Sequence, residues 1–138
     1  MSKIGVVSVG NVGPMRVRFP DDLPYAIDLD RSARCAVVHI TGPLDMTTSL
    51  ILRIVLEPLW DAVDEGCLIL DLTAMTFCDS TGVAALIEAF KESREHGTQI
   101  LLAAASSSLL RMLHTMGLIA LFETHSTLEE ALAASERA

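Results

Sequence analysis

The chain has 138 residues, 51% of them hydrophobic and only 4% aromatic, enough for one compact domain with an aliphatic core. Ten basic against 18 acidic residues give a formal net charge of −8, a field that repels polyanions and argues against direct nucleic-acid binding. No apolar run approaches the roughly 18 residues of a membrane span, Arg53 and Glu57 interrupt the best stretch, and the N-terminus lacks an apolar core with a cleavage site, so a cytoplasmic protein without a membrane role is expected.

Residues 1–22 are rich in Gly and Pro, close on "DD", and read as a loosely held arm ahead of a single domain over 23–138. Within the arm Met15, Val17 and Phe19 alternate with Arg16 and Arg18, making 15–19 a candidate edge strand. "YAIDLD" and "CAVVHIT" are β-rich runs around "RSAR", a hairpin pattern, and "GPLDMTTS" breaks that pattern and supplies helix caps. A helical period begins at Thr48: Leu50, Ile51, Ile54 and Val55 share a face that Leu59 and Ala62 continue. Pro58 should kink or end this helix near Glu57, and Gly66 stops it.

"CLILDLT" is a continuous apolar run of strand length, the mark of a strand covered on both faces. Further on, Val83, Leu86, Ile87 and Phe90 fall at i, i+3, i+4 and i+7, with Glu88, Lys91, Glu92 and Glu95 on the other side, until Gly97 ends the helix. "TQILLAAA" is a second buried strand, expected beside the first and parallel to it. "SSSLLRMLHTMGL" predicts a short helix with serine caps and Gly117 just past its end. "ALFET" makes a last strand, and "STLEEALAASE" a final helix capped by Ser126 or Thr127 with acids in its first turn. The order β-β-α-β-α-β-α-β-α predicts an α/β fold: a mixed sheet of four to five strands, the later ones parallel, flanked by about four helices.

Cys35, Cys67 and Cys78 are an odd set without C-x-x-C spacing. They suggest neither a disulfide framework nor a zinc site, and are expected to be small buried hydrophobes in a reducing compartment. Cys78 is read as structural.

The stretch that carries most chemistry is "FCDSTGVAALIEAF", residues 77–90. A single "DSTG" is not the paired carboxylate of an aspartic protease. It is not a G-x-S-x-G elbow, because Cys78 stands where the first glycine belongs, and no phosphate-cradling G-x-x-x-x-G-K-[ST] loop is present. A triad through Ser80 would need one of His39, His96, His114 or His125, which the pattern places in a strand, at a helix end, on a short helix and in a loop. The simplest reading of Asp79, Ser80 and Thr81 is an N-cap, worth about 1 kcal/mol. Two features exceed it: three consecutive side chains carry oxygen where one suffices, and the motif directly follows a buried strand, at the sheet edge where open α/β folds place ligands.

"GPLD" after an early strand, "LDLTAMTFCDSTGVAALIEAF", "QILLAAASSSLLRMLHTMGL" and "LFETHSTLEEAL" together resemble the STAS domain, in its anti-sigma factor antagonist branch. The resemblance runs from about Tyr25 to Ala134. It implies a binding module, not an enzyme, without cofactor or metal. The unphosphorylated form binds a serine-kinase anti-sigma factor and so frees a bacterial sigma factor; the kinase then phosphorylates the module, the complex dissociates, and a serine phosphatase resets it. Carried over by position, Ser80 is the phosphoacceptor, and Asp45, Asp79, Ser80, Thr81 and Gly82 form the partner-binding set. A monomer or weak homodimer is expected. Pro43 departs from the acid common in "GELD", Pro58 interrupts the first helix, and the arm is longer than the pattern needs. The alternative keeps the fold as a scaffold or nucleotide-sensing STAS module that is not phosphorylated, and a hydrolase using Ser80 is a third reading.

Overall fold

A computed structural model describes residues 2–9, 13–20, 25–30 and 35–136. The chain runs β1 (Ser2–Val9), β2 (Gly13–Pro20), β3 (Tyr25–Asp30), β4 (Cys35–Ile40), β5 (Gly42–Leu44), α1 (Met46–Leu56) and α2 (Leu59–Ala62). It continues through β6 (Cys67–Asp71), β7 (Met75–Cys78), α3 (Ser80–Glu95), β8 (Gln99–Ala103), α4 (Ser107–Thr115), a 3₁₀ turn (Ile119–Leu121), β9 (Glu123–His125) and α5 (Leu128–Glu136).

The main sheet has five strands in the order β3-β4-β6-β8-β9. β3 and β4 are the antiparallel pair expected from the two β-rich runs, and β4, β6, β8 and β9 are mutually parallel. All five residues of β6 are buried. Their alternation explains why: Leu68 and Leu70 join the cluster with Leu52, Val83, Leu86, Leu109 and Leu113 from α1, α3 and α4. Cys67 and Ile69 join Val37, Leu101 and Ala131 on the α5 side. Helices α1 to α4 thus cover one face and α5 the other, and a central strand buried on both sides is apolar from Cys67 to Leu70.

Local signals set the element ends. Pro58 follows the last turn of α1, and the chain restarts as the short α2. Gly97 and Gly117 adopt φ of +63° and +73° just beyond α3 and α4, a left-handed conformation that suits glycine. Ser106 caps α4 by accepting the Leu109 N–H at 3.1 Å, and Thr127 accepts the Glu130 N–H at 3.1 Å at the start of α5.

The candidate edge strand at 15–19 falls within β2, which pairs antiparallel with β1 in a two-stranded sheet. β5 and β7, not anticipated, form a separate two-stranded parallel sheet, so "DSTG" follows the partly exposed β7 and not the buried β6. The last strand begins only at Glu123, because Ile119–Leu121 forms the 3₁₀ turn. On α1 the core side is Leu52, Val55 and Leu56, whereas Leu50 and Ile54 are exposed. Both stripes are apolar, so periodicity could not choose between them. Finally, Cys67 takes part in a disulfide and its neighbour in register is Cys35; free Cys78 is separate. The parallel register, invisible in the sequence spacing, is what sets those two positions opposite each other. Among the described residues no helix is long and apolar enough to cross a membrane.

Candidate functional site

β5 and β7 end at Leu44 and Cys78, which are partners in register. The chain leaves both strands at the same edge, and each time enters a helix through an aspartate. Asp45 caps α1: its Oδ1 accepts the N–H groups of Thr47 and Thr48 at 3.1 Å each. Thr48 Oγ1 in turn accepts the Asp45 N–H at 2.8 Å, closing a capping box.

Asp79 does the same for α3. Its Oδ1 accepts the N–H groups of Thr81 at 2.9 Å and Gly82 at 3.0 Å, and the Thr81 hydroxyl at 2.5 Å. The Thr81 hydroxyl, followed by the Gly82 N–H, holds the Asp79 carboxyl below its ordinary range. The three oxygens of the motif therefore have different tasks. Asp79 is the cap and Thr81 braces the cap. Ser80, the first helical residue, is exposed, and its hydroxyl takes no part in capping.

Gly82 is buried, and its lack of a side chain has a specific cause. A Cβ there would collide with the Leu44 carbonyl oxygen and lie 2.7 Å from Cys78 Sγ. Glycine lets the first turn of α3 pack onto the end of β5. The backbone Asp79 N–H donates to the Leu44 carbonyl at 3.3 Å, and the Ser49 hydroxyl donates to the Thr81 carbonyl at 3.4 Å. These bonds hold the N-termini of α1 and α3 side by side.

The structure thus gathers Asp45, Asp79, Ser80, Thr81 and Gly82 at one edge, with Ser80 supplying the accessible hydroxyl. Cys78, behind the motif, is half-buried; burial first, and the Asp79 charge second, push its thiol up to about 11, so it stays protonated near neutral pH. His39 bonds Asp71 at 2.6 Å, His96 lies 3.3 Å from Asp64 and stacks on Trp60, and His125 bonds Glu123 at 2.7 Å. Among the described residues none is hydrogen-bonded to Ser80.

A supporting cluster was not singled out by sequence reasoning. Buried Asp71, at the end of β6, accepts the Thr73 N–H at 3.1 Å and its hydroxyl at 2.5 Å on Oδ1, while Oδ2 meets His39 Nδ1. Burial raises the Asp71 pKa, but the two Thr73 bonds and His39 outweigh it and leave the carboxyl below its usual range. The cluster ties β4 to β6 and shapes the turn into β7, so it aims the site from behind. Its one sequence signal is the D-x-T spacing at 71–73, which resembles a turn of the aspartate side chain onto its own backbone.

The fold and this edge together are those of a small α/β module whose exposed hydroxyl opens a helix beside a second helix N-terminus. The STAS domain family model matches residues 26–131. A Listeria monocytogenes protein, "Anti-sigma-B factor antagonist", is 30% identical over 87 residues, covering 62% of this chain and 75% of its own. A solved Bacillus structure, the cell fate determinant SpoIIAA in the phosphorylated form, superposes with TM-score 0.63 at 20% identity, covering 80% of this chain and 97% of that one. A sulfate transporter family protein from Wolinella succinogenes gives TM-score 0.64 at 26% identity, covering 75% and 86%. The chain belongs to the STAS domain family, in its anti-sigma factor antagonist branch.

Proposed function

We propose that this chain is a phosphorylation-switched antagonist of a serine-kinase anti-sigma factor. Unphosphorylated, it binds the kinase in the cytoplasm and thereby frees a bacterial sigma factor. The kinase then transfers the γ-phosphoryl group of its ATP to Ser80: the Oγ–P bond forms, the bond to ADP breaks, and the hydroxyl proton leaves. The complex dissociates, and a serine phosphatase hydrolyses the ester to restore the active form. The chain itself acts as ligand and substrate, not as an enzyme, and works as a monomer or weak homodimer.

The observation that carries this reading is the division of labour at the cap. Because Asp79 satisfies the helix N-terminus, the Ser80 hydroxyl is exposed and can be modified without dismantling the helix. A phosphate adds about −1.5 to −2 charge. At the N-terminus of α3 the helix dipole favours it and Asp79 opposes it by comparable amounts, so the isolated domain is left nearly indifferent. Pressed against a partner, the same charge is unpaired and poorly solvated, which costs several kcal/mol, and each 1.4 kcal/mol is about tenfold in affinity.

The test is incubation with ATP, Mg²⁺ and the anti-sigma kinases of the source organism, read by intact mass, followed by calorimetry. Ser80→Ala should bind and remain unmodified. Ser80→Asp should keep its melting midpoint and bind at least about tenfold more weakly. Undiminished binding by Ser80→Asp would defeat the switch. The likeness to the Wolinella transporter-family protein favours one other reading, a STAS scaffold never modified at Ser80; unchanged mass with every kinase would support it.

A further inference from the structure

The outer face of α1 is unusual for a helix on the surface of an acidic protein. The eleven residues "MTTSLILRIVL" hold one charge, Arg53. Leu52, Val55 and Leu56 already serve the core. Met46, Leu50 and Ile54, spaced four apart in one row, are 71%, 57% and 71% exposed. A solvated helix carries polar residues on that side, and a contiguous exposed apolar row marks an interaction surface.

We infer that this row is the apolar half of the anti-sigma docking surface, with Ser80 at its rim as the switch; the inference rests on the function proposed above. The tie between the two helices says what covers the row. With the Asp79 N–H on the Leu44 carbonyl and the Ser49 hydroxyl on the Thr81 carbonyl, α1 and α3 start at the same edge. Further along, Arg53 bonds Glu88 across the pair at 2.7 Å. Packed helices lie about 8–10 Å apart, and a stable interface covers about 800 Å² per partner. A protein that reaches Ser80 from outside therefore also covers Met46 and Leu50. On α3 the exposed Ala84 and the half-buried Ala85 in the turn after Ser80 are small.

Charge decides between a foreign partner and a second copy. Arg53, Glu57, Glu88 and Glu92 rim the groove between the helices, and with Arg53 bonded to Glu88 the rim keeps a net negative charge from Glu57 and Glu92. Two copies docked face to face would oppose these carboxylates. A partner with an apolar centre and a basic rim would complement them. The row then supplies affinity that does not depend on modification, and phosphate at Ser80 cancels it from the edge.

The experiment uses whichever anti-sigma kinase phosphorylates Ser80 in the mass assay. The double variant Leu50→Ser/Ile54→Ser, the single variant Met46→Ser and the control Met116→Ser are titrated against it calorimetrically in their unphosphorylated forms. Met116 is also exposed, but it follows the far end of α4. We expect the double variant to bind at least about tenfold more weakly, Met46→Ser several-fold more weakly, and Met116→Ser like wild type, all with wild-type melting midpoints. Wild-type binding by both row variants would overturn the inference while leaving the Ser80 switch intact. So would loss of self-association in the row variants, by sedimentation, with kinase binding unchanged. If no kinase modifies Ser80, the function reading itself fails and takes this inference with it.

Discussion

The backbone N–H of Asp79 donates to the carbonyl oxygen of Leu44 across 3.3 Å, stitching the start of α3 to the end of β5. This one bond lies where the two helix-capping aspartates, the glycine contact and the exposed serine meet. It makes the candidate site a property of the junction between two loops, so its parts respond differently to substitution.

Gly82→Ala should destabilise the fold. In an ordinary helix the change gains about 1 kcal/mol. Here the added methyl group meets the Leu44 carbonyl oxygen and Cys78 Sγ, and forcing extra volume into a packed site costs about 1–3 kcal/mol. A net loss of roughly 1–2 kcal/mol is expected in urea unfolding. Adding Cys78→Ala should recover only part of it, because the carbonyl obstruction stays. A Gly82→Ala protein more stable than wild type would mean that α3 is not held this close to β5.

Asp79 and Ser80 should part company in stability measurements. Asp79→Ala removes the acceptor of two backbone N–H groups and the Thr81 hydroxyl, and should lose about 1 kcal/mol. Ser80→Ala removes an exposed hydroxyl outside the cap and should stay within about 0.5 kcal/mol of wild type. Thermal melts of the two variants decide the assignment; the opposite ranking would make Ser80 the cap.

The Asp71 cluster predicts a pH dependence with a definite sign. Its carboxyl is depressed in the folded state relative to an unfolded value of about 3.9. The stability it contributes is therefore present above that unfolded value and lost as pH falls through the lower folded one. Asp71→Asn should be clearly less stable than wild type at pH 7, and the gap should be narrower at about pH 3, below the ordinary carboxylate value at which the unfolded chain takes up the proton. Denaturant titrations at the two pH values read this directly. A gap that stayed constant would assign the loss to the altered hydrogen bonds alone.

Much of the fold was legible in the sequence because local patterns dictated it. "CLILD" and "QILLA" are apolar at every position or nearly so, which only strands covered on both faces tolerate, and they are adjacent and parallel as β6 and β8. Pro58 ends α1 because it cannot continue a helix. Gly97 and Gly117 mark helix ends because they accept left-handed φ. "DSTG" ahead of an apolar helical period announced a capped helix with Ser80 near its start.

Contacts between residues far apart in the chain decided the rest. Nothing local to "GPL" or "MTFC" says that these short segments pair with each other as β5 and β7, since neither has the length or apolar content to stand as a strand alone. Which oxygen caps α3 depended on where Asp79 is held by the Leu44 carbonyl. The need for glycine at 82 arose from the approach of β5, 38 residues back along the chain at Leu44. Periodicity on α1 offered two apolar stripes, and only docking against the sheet chose Leu52, Val55 and Leu56 for the core and left Met46, Leu50 and Ile54 outside. Sequence determined most of the elements and the place of Ser80 at the start of a capped helix, because caps, turns and strand periods act within a few residues. Tertiary structure decided the surface around that serine, because packing acts between elements.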